Sequence, residues 1–475
     1  MNIRSVMCRH RLSVLLALCL GAAGCSESDV DDNESGDGES SAFVPPQFGE
    51  WVKYEPEGAT CSDGSPWSFY VEFSPNSENV IVYFMGGGGC WDYESCVGGS
   101  ARGATNLNRP LPDDYANNHT RFAVGASELS VSVNQVYPLL NRDPSVTPMA
   151  DWNKVFVPYC TGDTYAGATS TTYDDPDGVD PAVAFDHQGH SNILAMTGML
   201  NQMFDSVPKL FVGGCSAGGA GAMTNYYFIR DGMRGVERGY LLNDSGPLFP
   251  GSAATARSGP LQARVREAWD LDGVLATVPQ SERLSMDFGE ISRVLSEEFP
   301  NDRIASTLFR LDYNYSLYSY ERFWTRDGDD IVSFSGDDIG LDENDAQDRA
   351  AIYRLWWDDI ELLRQQYDSP GADNLAYFIP FYRETNDSHC VTVPGVEDVP
   401  ADQLVQLFFG DVATLAWAGS EIEEEAMNLS SFVDHLLSDE PLESYFETQA
   451  EGRFLACTPD AFDVNACQDA VDMAP

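Results

Sequence analysis

The chain has 475 residues, 43% of them hydrophobic, with 27 Lys and Arg against 75 Asp and Glu for a formal net charge of −48. So much apolar material excludes a wholly disordered chain, and so much negative charge excludes a nucleic-acid binder, because phosphates would be repelled. No stretch of about 18 apolar residues is present to serve as a permanent membrane-spanning helix, and the length admits one large domain or two or three ordinary ones.

The first 24 residues read as an address. Arg4, Arg9 and Arg11 make a basic start, Leu12 to Leu20 make a short apolar run, and Gly21-Ala22-Ala23-Gly24 precede Cys25. Small residues before a cysteine suit a lipoprotein signal peptide over 1–24, with a lipidated Cys25 as the mature N-terminus; an ordinary cleaved signal is the alternative. Ser26 follows Cys25, and no Asp is there to retain the protein at the inner membrane. The expectation is an exported bacterial outer-membrane lipoprotein, anchored through Cys25. Residues 25–45 are rich in acids, Ser and Gly and predict a self-repelling flexible tether. A single domain is then expected over 46–475.

Beyond the tether, short β-branched and aromatic runs end in Gly-rich turns. Asn79 to Met85 runs into Gly86 to Gly89, Lys154 to Tyr159 into Cys160-Thr161-Gly162, Lys209 to Val212 into Gly213-Gly214, and Gly239 to Leu242 into Asn243-Asp244-Ser245-Gly246. Arg303 to Leu311 and Ala376 to Tyr382 have the same character. Near-continuous apolar strands belong to a sheet buried on both faces. Helical patterns over 192–204, 217–230 and 345–367 alternate with them, so the predicted fold is α/β, a mainly parallel sheet with flanking helices. The acidic stretch Asp327 to Asp348 reads as a solvated loop, and the last 75 residues as a helical, acidic flank.

One motif carries chemistry. Gly214-Cys215-Ser216-Ala217-Gly218 is a G-x-S-x-G placed after a strand and before a small-residue helix, the setting of a nucleophile elbow, and this makes the architecture α/β-hydrolase-like. A serine hydroxyl needs a base, and in that architecture the order is Ser, acid, His. Only His389 and His435 follow Ser216. His435 lies in an amphipathic helical pattern, whereas His389 lies on the loop after a late strand, so His389 is the expected base. Asp312, at the end of the 303–311 run, leads as the orienting acid; Asp244 and Asp387 compete with it. The oxyanion donors expected are the Ala217 N–H and an N–H of the Gly86 to Gly89 loop.

Setting aside Cys8, Cys19 and Cys25, eight cysteines remain, an even number that in an exported protein suggests disulfides. Neither a CxxC pair nor an HExxH motif is present, so no metal site and no cofactor is expected. Cys90 with Cys96 and Cys457 with Cys467 are spaced as local loops. Cys215 and Cys390 flank the nucleophile and the base, and a bond between them would hold the two together.

Taken together, Cys61-Ser-Asp-Gly-Ser-Pro66, the strand and glycine loop at 79–91, 153–162, 185–194, 213–221, 243–246, 308–318 and Ser388-His389-Cys390 resemble the pectin acetylesterase/Notum family. The resemblance implies an α/β-hydrolase fold with Ser216 as nucleophile, His389 as base and Asp312 as acid. It also implies oxyanion donors at Gly88, Gly89 and Ala217, and disulfides Cys61–Cys160 and Cys90–Cys96. The family typically has Gly-Gly-Gly-Trp-Cys where this chain has Gly86-Gly87-Gly88-Gly89-Cys90, with a Trp only at Trp91. The expected protein is a monomeric serine esterase taking O-acetyl or other short acyl groups from a polysaccharide such as pectin, or acting on a small ester. The rivals are a lipase-like esterase for longer acyl chains and a non-catalytic surface binding protein on the same scaffold. The acidic charge itself argues against easy binding of polyanionic pectin.

Overall fold

The computed structural model describes residues 43–97, 107–124, 127–251, 255–328, 330–336, 338–383, 388–393 and 428–447. The proposed signal, Cys25, most of the tether, Asp387, Cys457 and Cys467 lie outside them. The described chain starts at Phe43, whose ring packs on Phe73 with centroids 5.6 Å apart.

In chain order the strands are β1 (Trp51–Tyr54), β2 (Phe69–Glu72), β3 (Val80–Phe84), β4 (Thr120–Val124), β5 (Ser127–Val131), β6 (Asn153–Val157), β7 (Thr169–Tyr173) and β8 (Val183–His187). They continue with β9 (Lys209–Cys215), β10 (Arg238–Asp244), β11 (Arg303–Thr307), β12 (Trp324–Asp327), β13 (Asp330–Ser333), β14 (Leu375–Ile379) and β15 (Tyr445–Phe446). Nine form one sheet in the order β1-β2-β6-β3-β9-β10-β11-β14-β15. β1 pairs with β2, and β2 with β6, in antiparallel fashion; every pair from β6 to β15 is parallel.

The periodicity explains the layering. Val80, Val82 and Phe84 of β3 face one core with Leu210, Val212, Leu241 and Ile304, while Ile81 and Tyr83 face the other with Phe211, Tyr240, Leu242 and Ala305. Successive side chains of a strand point to opposite faces, so strands apolar at every position are what a sheet covered on both sides requires. Each such fully buried aliphatic or aromatic side chain contributes about 1.5–3 kcal/mol relative to exposure.

Two expectations need correction. The 327–348 stretch is not one loop: β12 and β13 form an antiparallel hairpin, and the helix Ala346–Tyr367 follows, capped by the Asp345 carboxylate, which accepts from the Gln347 and Asp348 N–H groups. The acids there cap a helix and pair with Arg326 rather than only facing solvent. Nor is the C-terminal flank purely helical. After the helix Leu429–Leu437, β15 extends the main sheet in parallel to β14, because the aromatic pair Tyr445-Phe446 covers the sheet edge. No helix among the described residues is long and apolar enough to cross a membrane.

Candidate active site

Parallel order puts the C-terminal ends of β3, β9, β10 and β11 side by side, where open α/β sheets collect their functional groups. In register, Cys215 of β9 lies beside Asp244 of β10, which lies beside Thr307 of β11. Ser216 comes next. Its φ of 57° and ψ of −122° make the sharp turn between β9 and the helix Ala217–Gly232, and its N–H donates to the Asp244 carbonyl at 2.7 Å. Its side chain stands at the rim, half-buried.

The loop after β3 lies against this turn. A Cβ at Gly86 would fall 3.1 Å from the Cys215 carbonyl oxygen and 3.3 Å from Ser216 Cβ, so a side chain there would press on the turn and a glycine fits without displacing it. Gly88 follows with φ 71°. Gly89 bridges to Asp163, and Cys90 N donates to the Gly162 carbonyl at 2.7 Å. Ala217 opens its helix, so its N–H is among the donors that a helix leaves without an internal partner.

Asp312 lies five residues beyond β11, as the N-cap of the helix Tyr313–Tyr320. One carboxylate oxygen accepts from Tyr315 N at 2.9 Å. His389 Nδ1 donates to the two oxygens at 2.8 and 3.1 Å. Asp312 is fully buried, and the Tyr315 ring stacks at 6.5 Å on the imidazole. Burial pushes the His389 imidazolium down, but the charge and hydrogen bond of Asp312, helped by Asp244 and opposed by Arg383, outweigh it and raise the pKa above its ordinary value.

Three disulfides join described residues: Cys61–Cys160, Cys90–Cys96 and Cys215–Cys390, with Cα separations of 5.1, 5.0 and 5.5 Å. The third ties the residue before Ser216 to the residue after His389. Both sulfurs and an imidazole nitrogen of His389 lie within 4.8 Å of one another. Oxidised to a disulfide, these sulfurs offer no thiolate to a metal.

Asp244, a competing acid in the sequence, has a different job. Its carboxylate accepts from Val391 N, Thr392 N and Thr392 Oγ1 at 2.6–2.8 Å and from Thr307 Oγ1 at 3.0 Å, so it anchors the loop that carries His389. Burial raises its pKa despite those donors. Sequence reasoning also missed Arg383. Its guanidinium is fully enclosed, lies 5.0 Å from the Phe309 ring centroid and donates to the carbonyls of His389, Cys390 and Val393 at 2.8–2.9 Å. Burial lowers it to about 10, which leaves it charged at neutral pH. Its only sequence signal is an arginine closing the apolar run Phe378 to Tyr382. His435 sits on the helix Leu429–Leu437, where its carbonyl accepts from Arg303.

Backbone conformation marks the same place. Of eight non-glycine residues with positive φ among the described residues, six cluster here: Thr164, Tyr165, Ser216, Ser245, Ser388 and Cys390. Each costs about 1–3 kcal/mol and persists only where surrounding bonds over-determine it, which is characteristic of functional sites.

A family model described as pectinacetylesterase matches residues 50–326. Pectin acetylesterase 4 of Arabidopsis thaliana is 27% identical over 182 residues, 38% of this chain and 38% of that protein. Palmitoleoyl-protein carboxylesterase NOTUM of Drosophila melanogaster is 28% identical over 228 residues, 45% of this chain and 30% of that protein. The chain therefore spans about a third of the length of the curated relatives it matches. The solved structure of the Wnt deacylase Notum from Drosophila aligns with a TM-score of 0.46 and 17% identity, covering 81% of this chain and 92% of that one.

Proposed function

This chain belongs to the pectinacetylesterase family, and from that membership we propose that it is a serine ester hydrolase working through an acyl-enzyme on Ser216. The observation that carries this reading is the buried His389–Asp312 pair, 2.8 Å apart, held next to the nucleophile turn by Cys215–Cys390.

In the proposed cycle the Ser216 hydroxyl attacks the ester carbonyl carbon while Nε2 of His389 takes its proton. Asp312 holds the Nδ1–H and stabilises the imidazolium. The amides of Gly88, Gly89 and Ala217 receive the negative charge that develops on the carbonyl oxygen. The C–O bond to the alcohol breaks, His389 returns the proton to the leaving oxygen, and water attacks the acyl-enzyme with His389 again as base. The carboxylic acid leaves and Ser216 is restored. No step calls for a metal or an organic cofactor, so EDTA is expected to leave the rate unchanged.

The substrate class we propose is an O-acetyl or other short acyl ester on a polysaccharide. Relatives named for pectin acetylesterase activity support this. Three disulfides suit an oxidising compartment and support export. We propose anchoring through Cys25, which mass spectrometry of the mature N-terminal peptide tests directly. For the activity, wild type should turn over p-nitrophenyl acetate and label with a fluorophosphonate, and Ser216→Ala should do neither. A wild type inert in both assays removes the enzyme reading and leaves the binding-protein alternative.

A further inference from the structure

We propose that Trp269 is the specificity-determining residue that limits the acyl group to acetyl or near-acetyl size. The proposal rests on the esterase reading and goes on to assign the wall of its acyl pocket.

A cavity of about 30 Å³ is bounded by Ala220, Leu248, Leu261, Val265, Trp269 and Tyr318, among other residues. Its lining holds none of the proposed triad or oxyanion residues, but several lining residues pack directly on them. Ala220 is one turn into the helix that Ser216 begins, and its N–H donates to the Ser216 carbonyl at 3.1 Å. Tyr315, also in the lining, stacks on the His389 ring. Thr164, Trp269 and Tyr318 crowd Gly89, where a Cβ would fall 3.2 Å from Thr164 Cγ2, 3.2 Å from Trp269 Cη2 and 2.8 Å from Tyr318 Oη. The void therefore neighbours the proposed oxyanion loop through Thr164, Trp269 and Tyr318, and on this proposal it takes the acyl chain of the bound ester.

Roughly 10–15 Å³ measured this way accommodates one water-sized group. This cavity takes two or three, enough for an acetyl methyl.

Trp269 is the largest side chain in the lining. It follows the helix Gly259–Ala268, is buried, and its Nε1 donates to the Cys90 carbonyl at 2.8 Å. Its own carbonyl accepts from Ala168 N at 3.3 Å. Held at both backbone and indole, it cannot swing aside without losing buried hydrogen bonds. Trp91, the tryptophan next to the glycine loop in sequence, is not in the lining; it packs on Tyr318, Phe323 and Arg322. Glycine at 89 and tryptophan at 269 are thus complementary: Trp269 fills part of the space that a side chain at 89 would need, together with Tyr318 and Thr164.

The test compares kcat/KM for p-nitrophenyl acetate, butanoate and octanoate on the full chain. Wild type should lose roughly 100-fold or more from acetate to octanoate, since each misplaced methylene in a tight pocket costs about 10-fold or more. Trp269→Ala should raise the octanoate-to-acetate ratio at least ~10-fold while keeping fluorophosphonate labelling. Leu261→Ala, which opens the same void from the helix side, should shift the ratio in the same direction and carries the test if Trp269→Ala does not fold. A wild type that cleaves octanoate as well as acetate overturns the proposal. So do labelled, folded variants with an unchanged ratio. A wild type without turnover or labelling instead removes the underlying esterase reading.

Discussion

His389 shows how a single residue is tuned by opposing effects. Its enclosure favours the neutral ring, yet the Asp312 carboxylate at 2.8 Å and the nearby Asp244 favour the charged one and prevail over both burial and Arg383. In the proposed cycle His389 is the general base and must be neutral to accept a proton, so a raised pKa predicts activity lost as pH falls through a midpoint above the ordinary 6.5. The pH profile of kcat/KM for p-nitrophenyl acetate should therefore rise with pH through such a midpoint. A midpoint well below 6.5 would show that burial prevails over Asp312. Asp312→Asn should move the midpoint down and cut kcat by roughly 10⁴-fold, since the imidazole loses both its preferred tautomer and its counter-charge.

At the scale of elements, the segment 389–393 is neither helix nor strand, yet the proposed chemistry needs it to hold an imidazole to within about half an ångström. Three supports replace regular secondary structure. Asp244 takes the N–H groups of Val391 and Thr392, Arg383 gives to the carbonyls of His389, Cys390 and Val393, and Cys215–Cys390 ties the segment to β9. Removing Arg383 takes donors from the carbonyls of His389, Cys390 and Val393 and removes a charge that interacts favourably with Asp244 and Asp312. Arg383→Leu should thus lower stability by about 3 kcal/mol or more, read from denaturant melts, and lower kcat about 100-fold through misplacement of the base. The double variant Cys215→Ala/Cys390→Ala should lose about 2–4 kcal/mol, with kcat falling more than KM rises, because orientation rather than substrate contact is disturbed. Equal kcat in wild type and double variant would show that Asp244 and Arg383 suffice.

For the whole molecule, the dominant property is a net charge of −48. Such a surface repels a polyuronate at long range, and salt screens that repulsion within a Debye length of about 8–10 Å. For acetylated polygalacturonate, KM should fall as sodium chloride rises from about 20 to 300 mM, while KM for the neutral p-nitrophenyl acetate stays constant. A KM for the polyanion that rises with salt would point to a local basic subsite outweighing the global field.

Most of the sheet was legible from sequence because burial on both faces leaves an unmistakable mark: runs such as Val80 to Met85 and Leu210 to Val212 have no polar break, and each runs into glycine. The G-x-S-x-G turn was legible for the same local reason, since a strand, a sharp bend and a small-residue helix are contiguous in the chain. Residues recruited across the chain were not. Whether Asp244 or Asp312 faces His389 depends on strand order and on a loop 145 or 77 residues away, and both aspartates are buried, one ending β10 and the other capping the helix after β11. Arg383 and Trp269 gave no warning either, because their roles consist of what they approach, the carbonyls around His389 and the space over Gly89. Local periodicity encodes which residues are buried and in what kind of element. Only tertiary packing, which brings distant segments within a few ångströms, decides which buried carboxylate, cation or ring meets which partner.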